Sequence, residues 1–363
     1  MKHIKYNIKH KKQIVKFMAL ILLLAVSVPL MTGCGGSKNG SGEKVVLNVY
    51  NWGDYIDETV NDLFEEKYGI KVNYETFATN EDMYTKIKSG AGKYDIAIPS
   101  DYMIKRMIDE NLLNKINLDN IPNYKYIEDR FKNLAYDPNN EYSVPYMWGT
   151  VGILYNKTMV NEPVDSWKIL WDEKYAKQIL MLDSQRESIG VALQMLGYSM
   201  NSDNPEELEA AQNALIEQKH LVLAYVGDEI KDKMIGEEAA LAVVWSGDAI
   251  YCKRENPNLD YAIPKEGSNL WFDAIVIPKT AEHQAEAEKY IDFLCDPEIA
   301  FKNADYIGYS SPNSGAKEML DPSLLSDKTA YPDDEDIKNC EIFQYNEKLI
   351  KIYDEIWTRI TAE

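Results

Sequence analysis

From residue 45 onward, short apolar runs of strand length alternate with stretches of helical period. This alternation limits the possible folds more than any other property of the chain. Residues 45–50, 70–76 and 94–98 read as strands, and 57–68, 81–89 and 102–111 as amphipathic helices. The pattern restarts after Pro145. Residues 151–155, 179–182, 220–225 and 240–244 read as strands, and 188–199 as a helix. Asn204 is placed to cap the next helix, with Pro205 at its first position and Glu207 where a capping box needs it. Leu208, Ala211, Leu215 and Ile216 fall on one face of that helix. The last third is mainly helical, over 281–295, 297–306 and 347–360. The spacing of Ala287, Tyr290, Ile291, Leu294 and Cys295 puts that cysteine in a core. Such alternation predicts open α/β sheets with right-handed crossovers.

The N-terminal segment stands apart. Lys2, Lys5, Lys9, Lys11, Lys12 and Lys16 precede an apolar stretch over 17–31, and no acidic residue occurs before Glu43. That stretch is short for a membrane span and has the shape of a secretory signal. It ends in Leu30-Met-Thr-Gly-Cys34, which resembles a bacterial lipoprotein signal with Cys34 as the lipidated new N-terminus. Residues 1–33 are expected to be removed. Residues 34–43, rich in Gly and Ser, then act as a flexible tether to the membrane.

The removed segment holds six of the 39 basic residues and none of the 59 acidic ones, so the rest carries 33 against 59, a net charge of −26. This argues against a nucleic-acid groove and favours attraction of cations. The remaining 330 residues suit two domains of ordinary size. Beyond Cys34 the cysteines are Cys252, Cys295 and Cys340, and beyond residue 33 the histidines are His220 and His283, both expected at the solvent. No Cys/His metal spacing occurs, and no metal or other cofactor is expected. Gly90-Ala-Gly92 precedes a strand rather than a helix, so it is not a phosphate loop.

In open α/β sheets, ligands bind beyond the carboxyl ends of the strands. Asn51, Trp52, Asp54 and Tyr55 follow the first strand, and Ser100, Asp101 and Tyr102 follow residues 96–98. Asp183, Ser184 and Glu187 follow residues 179–182, and Trp245 and Asp248 follow 241–244. These positions are rich in aromatic rings and carboxylates, contain no lysine, and include one basic residue, Arg186. Three tryptophans sit within three residues of an aspartate: Trp52 with Asp54, Trp245 with Asp248, and Trp271 with Asp273. A π-face beside a carboxylate suits an organic cation with an apolar body. Structural roles compete for the same residues: Asp54, Asp101 and Ser184 are also placed as helix N-caps, and Trp52 and Trp245 as core. Trp171-Asp172 pairs the same residue types where no site is expected.

Several motifs then carry a specific resemblance. They are Tyr50-Asn-Trp-Gly-Asp-Tyr55, Tyr94-Asp-Ile-Ala-Ile-Pro-Ser-Asp-Tyr102, Ser143-Val-Pro-Tyr-Met-Trp-Gly-Thr150, Arg186-Glu187, Trp271-Phe-Asp273 and Ile307-Gly-Tyr-Ser-Ser-Pro-Asn313. In this order, from about Val46 to the end, they resemble the spermidine/putrescine-binding proteins of bacterial ABC importers. The resemblance implies a two-lobed α/β fold like that of periplasmic binding proteins, with a hinge and a central cleft. The first lobe is expected to comprise 44–149 plus 272–312, and the second 150–271 plus 313–363, with crossings near 147–150, 268–271 and 311–314.

By the same resemblance, Trp52, Tyr55, Ser100 and Tyr102 line the first lobe, and Trp245 and Trp271 sandwich the methylene chain. Glu187 and Asp273 hold ammonium groups, and Tyr309 forms another wall. The chain departs from the motif at Ser184-Gln-Arg-Glu187, where an acid is expected first and Asp183 lies one place earlier. It departs again at Phe343, where a glutamine is expected and Gln344 is adjacent. Asp54 and Asp248 match acids of putrescine-preferring relatives. The implied protein is a monomer without catalysis that delivers an intact polyamine to a transmembrane permease. The rival readings are a receptor of the same fold for another small solute, a polyamine sensor or adhesin, and a two-carboxylate glycosidase.

Overall fold

The computed structural model describes residues 45–362. The segment that carries the expected signal, tether and Cys34 lies outside them. Within 45–362 the expected alternation of strands and helices is present. Strand β1 (Val46–Trp52) is followed by helix α1 (Val60–Tyr68), β2 (Lys71–Phe77), α2 (Asn80–Ser89), β3 (Ile96–Ala97) and α3 (Asp101–Asp109). β1 pairs in parallel with β2 on one side and β3 on the other. Helix α1 starts three residues later than the periodicity predicts. The Asp57 carboxylate accepts the Thr59 backbone N–H at 2.9 Å, a local bond that holds the chain in a turn. Gly69 and Gly90 end α1 and α2 in the left-handed conformation, at φ 69° and 68°.

β4 (Ser143–Asn156) is the longest strand and joins two sheets. Its residues 143–150 pair antiparallel with β9 (Leu270–Val276), and β9 reaches β3 through Val276 and Ala97. Its residues 151–156 pair instead with β7 (Leu241–Trp245) and β8 (Leu259–Ala262). β5 (Ile179–Leu182) lies parallel to both β6 (Val222–Val226) and β7. The resulting order is β2-β1-β3-β9-β4-β7-β5-β6, with β8 also on β4. Periodicity predicts only 151–155 of β4, because Pro145 and Gly149 interrupt the strand pattern. A register shift between Pro145 and Met147 accommodates the proline, which has no N–H to donate.

In chain order, α4 (Gln185–Met195), α5 (Pro205–Gln218), α6 (Ile230–Ile235) and α7 (Ser246–Glu255) connect strands β5 to β8. α8 (Gln284–Leu294), α9 (Pro297–Ile307), α10 (Ser314–Met319) and α11 (Glu347–Ala362) follow β9. Asn204 caps α5 by accepting the Glu206 N–H at 3.0 Å. The expected capping box is not made. The Glu207 carboxylate takes the Ser202 hydroxyl at 2.5 Å and the Asn204 side-chain amide at 3.4 Å. Cys295 is buried as expected, whereas His283 is only partly exposed and lies 3.3 Å from the buried Asp95. α10 packs on the segment before β4: Ser314 donates to the Tyr126 carbonyl at 2.9 Å, and Lys317 pairs with Glu128 at 2.7 Å. Further on, Asp327 pairs with Lys253 of α7 at 2.9 Å.

Among the described residues, no helix is long and apolar enough to cross a membrane.

Candidate functional site

The segments after β1, β3 and β5 meet at β9 and the residue before it: Tyr55 donates to Asp273, Ser100 bridges to it, and Asn269 donates to Glu187; the segment after β7 joins them where Gly247 lies against Tyr309. β9 carries one of the three Trp–Asp pairs, Trp271 with Asp273. Alternation along a strand turns Trp271 and Asp273 to the same side. Asp273 is 6% exposed, and Tyr55 donates to its Oδ2 at 2.7 Å. Its Oδ1 has no hydrogen-bond partner among the described residues. Ser100 forms a backbone bridge to Asp273, and Ala274 donates to the Pro99 carbonyl at 3.1 Å, which fixes β9 against the start of α3. Burial raises the Asp273 carboxyl to about 6, and the Tyr55 and Ser100 hydroxyls oppose the rise.

The aromatic walls are edge-to-face contacts. Tyr309 meets Trp271 at 5.2 Å and Tyr55 at 5.5 Å, and Tyr55 meets Tyr146 at 5.4 Å. Two glycines make this possible. A Cβ on Gly247 would overlap the Tyr309 ring, and one on Gly149 would press on the Trp271 indole and the Ser246 hydroxyl. Trp52 also lies at this place, but its indole N–H is committed to the Ile98 carbonyl at 2.9 Å and its ring leans on Phe77 at 4.6 Å.

The second group of acids comes from the other sheet. Ser184 caps α4, accepting the Glu187 N–H at 3.5 Å, as its alternative reading had it. This cap sets Glu187 in the first turn, 8% exposed, where Asn269 donates to its Oε1 at 3.0 Å. Burial pushes Glu187 up to about 7; the Asn269 amide and the Trp245 indole N–H oppose it. Asp248, in the first turn of α7, is 7% exposed and pushed up to about 6 by burial, with Lys231 of α6 as the chief opposing charge. Asp273, Glu187 and Asp248 form no ion pair within 4.0 Å among the described residues.

Three candidates are placed differently from expectation. Asp54 is not an N-cap: it sits at φ 35° in a tight turn, and Thr59 occupies the cap position. Its side chain is 77% exposed and pairs with Lys231 at 3.2 Å. Asp101 is not an N-cap either; Ser100 holds that position. Asp101 is buried, accepts the Tyr102 and Phe272 N–H groups at 2.6 and 3.0 Å, and is raised to about 8, by burial first. Asp183 is exposed, so the acid one place before Ser184 does not reach the enclosed group. Tyr102 is buried with its hydroxyl on Glu81 at 3.2 Å, and its ring lies under the Arg186 guanidinium, 3.9 Å away. Phe343 approaches Tyr102 edge-on at 6.4 Å, so the position where a glutamine was expected is an apolar neighbour of the site.

Arg186 and Lys231 thus tie α4 to α2 and α6 to the loop after β1, Arg186 lying 3.6 Å from Glu81. Asn269 and Lys231 escaped the sequence reading. For Lys231 a signal existed: it follows β6, and the strand-end rule applied to that strand would have found it beside Asp228. Asn269 carries no such signal, because it precedes its strand.

The chain belongs to the bacterial extracellular solute-binding protein family, which it matches over residues 60–334. Within that family it is 36% identical to the spermidine/putrescine-binding periplasmic protein of Escherichia coli (strain K12) over 330 residues, 90% of this chain and 95% of that one. The structure of the PotD substrate-binding protein of the Streptococcus pneumoniae spermidine/putrescine ABC transporter is 44% identical. It superposes with a TM-score of 0.77 over 88% of this chain and 99% of that one. The TpPotD lipoprotein of Treponema pallidum, 29% identical, gives 0.79 over 87% and 99%. The fold is accordingly the two-lobed α/β fold of periplasmic binding proteins.

Proposed function

We propose that this protein captures a polyamine, putrescine or spermidine, outside the cytoplasm and hands it unchanged to an ABC permease. The observation that carries this reading is the set Asp273, Glu187 and Asp248: three buried carboxylates outside any salt bridge within 4.0 Å among the described residues, Asp248 alone having a chief opposing charge in Lys231, walled by Trp271, Tyr309, Tyr55 and Trp245. A buried anion without a partner is costly, and an ammonium group on a methylene chain relieves that cost while the rings cover its apolar body. The names of the relatives support the same ligand class and the same transport partner.

Trp52, Tyr55, Ser100 and Tyr102 form the receiving face on the first lobe, with Asp273 beside them. Closure brings Glu187, Trp245 and Asp248, and ligand shifts the population toward the closed form because only that form makes both sets of contacts. The first lobe comprises 44–149 and 272 onward, the second 150–271 and the C-terminal part. The packing of α10 on residues 126–128 favours a return to the second lobe after Met319 rather than at 313. The protein acts as a monomer without catalysis, held at the extracytoplasmic face of the cell membrane through lipidated Cys34.

Titration calorimetry with putrescine, spermidine, spermine and cadaverine tests the proposal. Binding of at least one of them is expected, and no heat with any of the four would overturn it.

A further inference from the structure

Lys231, just beyond the end of β6, is a cation among the acids of the site, and its position is distinctive. It lies on α6 next to α7, which carries Asp248, and its ammonium reaches across the cleft to Asp54, 3.2 Å away. The two sides are close at this end: a Cβ on Gly53 would lie 3.8 Å from the Asp228 carboxylate just before α6. The Lys231 side chain is 18% exposed, so its charge is largely withdrawn from water. Burial pulls the ammonium down, but Asp248 and then Asp54 outweigh it and hold it above its ordinary value, so it stays charged. At the other end, no Lys or Arg among the described residues pairs with Glu187 or Asp273; Arg186 lies against Glu81 and the Tyr102 ring and is the smallest of the influences that lower Glu187.

We propose that Lys231 is a specificity-determining residue: a built-in cation that takes the Asp54/Asp248 end of the site and leaves two carboxylates, Glu187 and Asp273, for the two ammonium groups of a diamine. This rests on the polyamine reading above and adds the choice of ligand length to it. A triamine must place its third positive charge near Lys231, where like charges repel. A diamine matches what remains.

The test is calorimetry with putrescine and spermidine on the wild type, Lys231→Met and Asp54→Asn. Lys231→Gln serves as a second neutral variant, and melting curves confirm folding. Wild type is expected to favour putrescine. Both Lys231 variants should shift the affinity ratio toward spermidine by about tenfold or more. Asp54→Asn keeps the ammonium and should not raise that ratio. A Lys231 variant with an unchanged ratio overturns this inference alone, as does Asp54→Asn giving the same shift, since the ion pair would then act only as a clamp. Wild type that binds neither amine overturns the polyamine reading, and this one with it.

Discussion

The Tyr55 hydroxyl donates to Asp273 Oδ2 at 2.7 Å and leaves Oδ1 without a partner. Tyr55 belongs to the loop after β1 and Asp273 to β9, so residues 218 positions apart form one half-satisfied acid. The hydroxyl fixes the carboxylate's orientation, and in the proposed complex the free oxygen accepts from an ammonium group. Asp273→Asn removes the charge and keeps the shape. Polyamine affinity should drop by about 2–5 kcal/mol in calorimetry. Asp172→Asn, on an exposed turn beside Trp171, should change nothing. Equal affinities for the two variants would reject the site assignment.

Binding should depend on pH with a definite sign. Burial places the carboxyls of Asp273 and Asp248 at about 6 and that of Glu187 at about 7, above their ordinary range. Their stabilising contribution to the ligand-free protein is therefore full below the unfolded values near about 4 and is lost as pH rises through 6 to 7. A bound cation favours the ionised forms, so binding releases protons in that window. Affinity should fall as pH drops from 8 to 5, and the ligand-induced rise in Tm should grow with pH. Calorimetry in buffers of different ionisation enthalpy reads the proton release directly; proton uptake would contradict the assignment.

Gly247 matters because Tyr309 lies against its α-carbon. Gly247→Ala would drive a methyl into that ring and displace it from Trp271 and Tyr55. The overpacking should cost about 1–3 kcal/mol of stability. Polyamine binding should weaken by roughly tenfold or more. Thermal melts and calorimetry on one preparation separate the two effects.

Arg186 joins the two sides through Glu81 and the Tyr102 ring. Arg186→Lys keeps the charge but loses the planar stack, so it is not a conservative change here. Ligand should leave about tenfold faster. Association should change little, because the clamp forms after encounter. Stopped-flow tryptophan fluorescence measures both rates, and an effect confined to association would argue against the clamp.

The expected lipid anchor is tested in cells. Cys34→Ser should abolish labelling by fatty acid and move the protein from the detergent phase to the aqueous phase. Retention in the detergent phase would reject Cys34 as the anchor.

Much of this protein was legible in the sequence because the signals are local. Apolar period, caps and strand-end composition are set by neighbours within a few residues, and they placed Asn204, Ser184, Trp245 and Asp248 correctly on their elements. Trp271 and Asp273 were paired by closeness in the sequence; that they share one face of a strand came only with β9. What the sequence could not decide is which residues from distant elements share one enclosure. Asp54 and Asp183 have the same chemistry as Asp248, yet they stay in water while Asp248 is buried, because burial is decided by what packs over a residue. Asp101 turned inward to accept backbone N–H groups rather than to face a ligand, and Asn269 reached the site from a position that sequence spacing does not mark; Lys231 follows a strand end, but its partner Asp54 is fixed only by the fold. Those outcomes depend on the β4–β9 ladder and on the approach of α4 and α6 to the first sheet, contacts between residues far apart in the chain that only tertiary structure fixes.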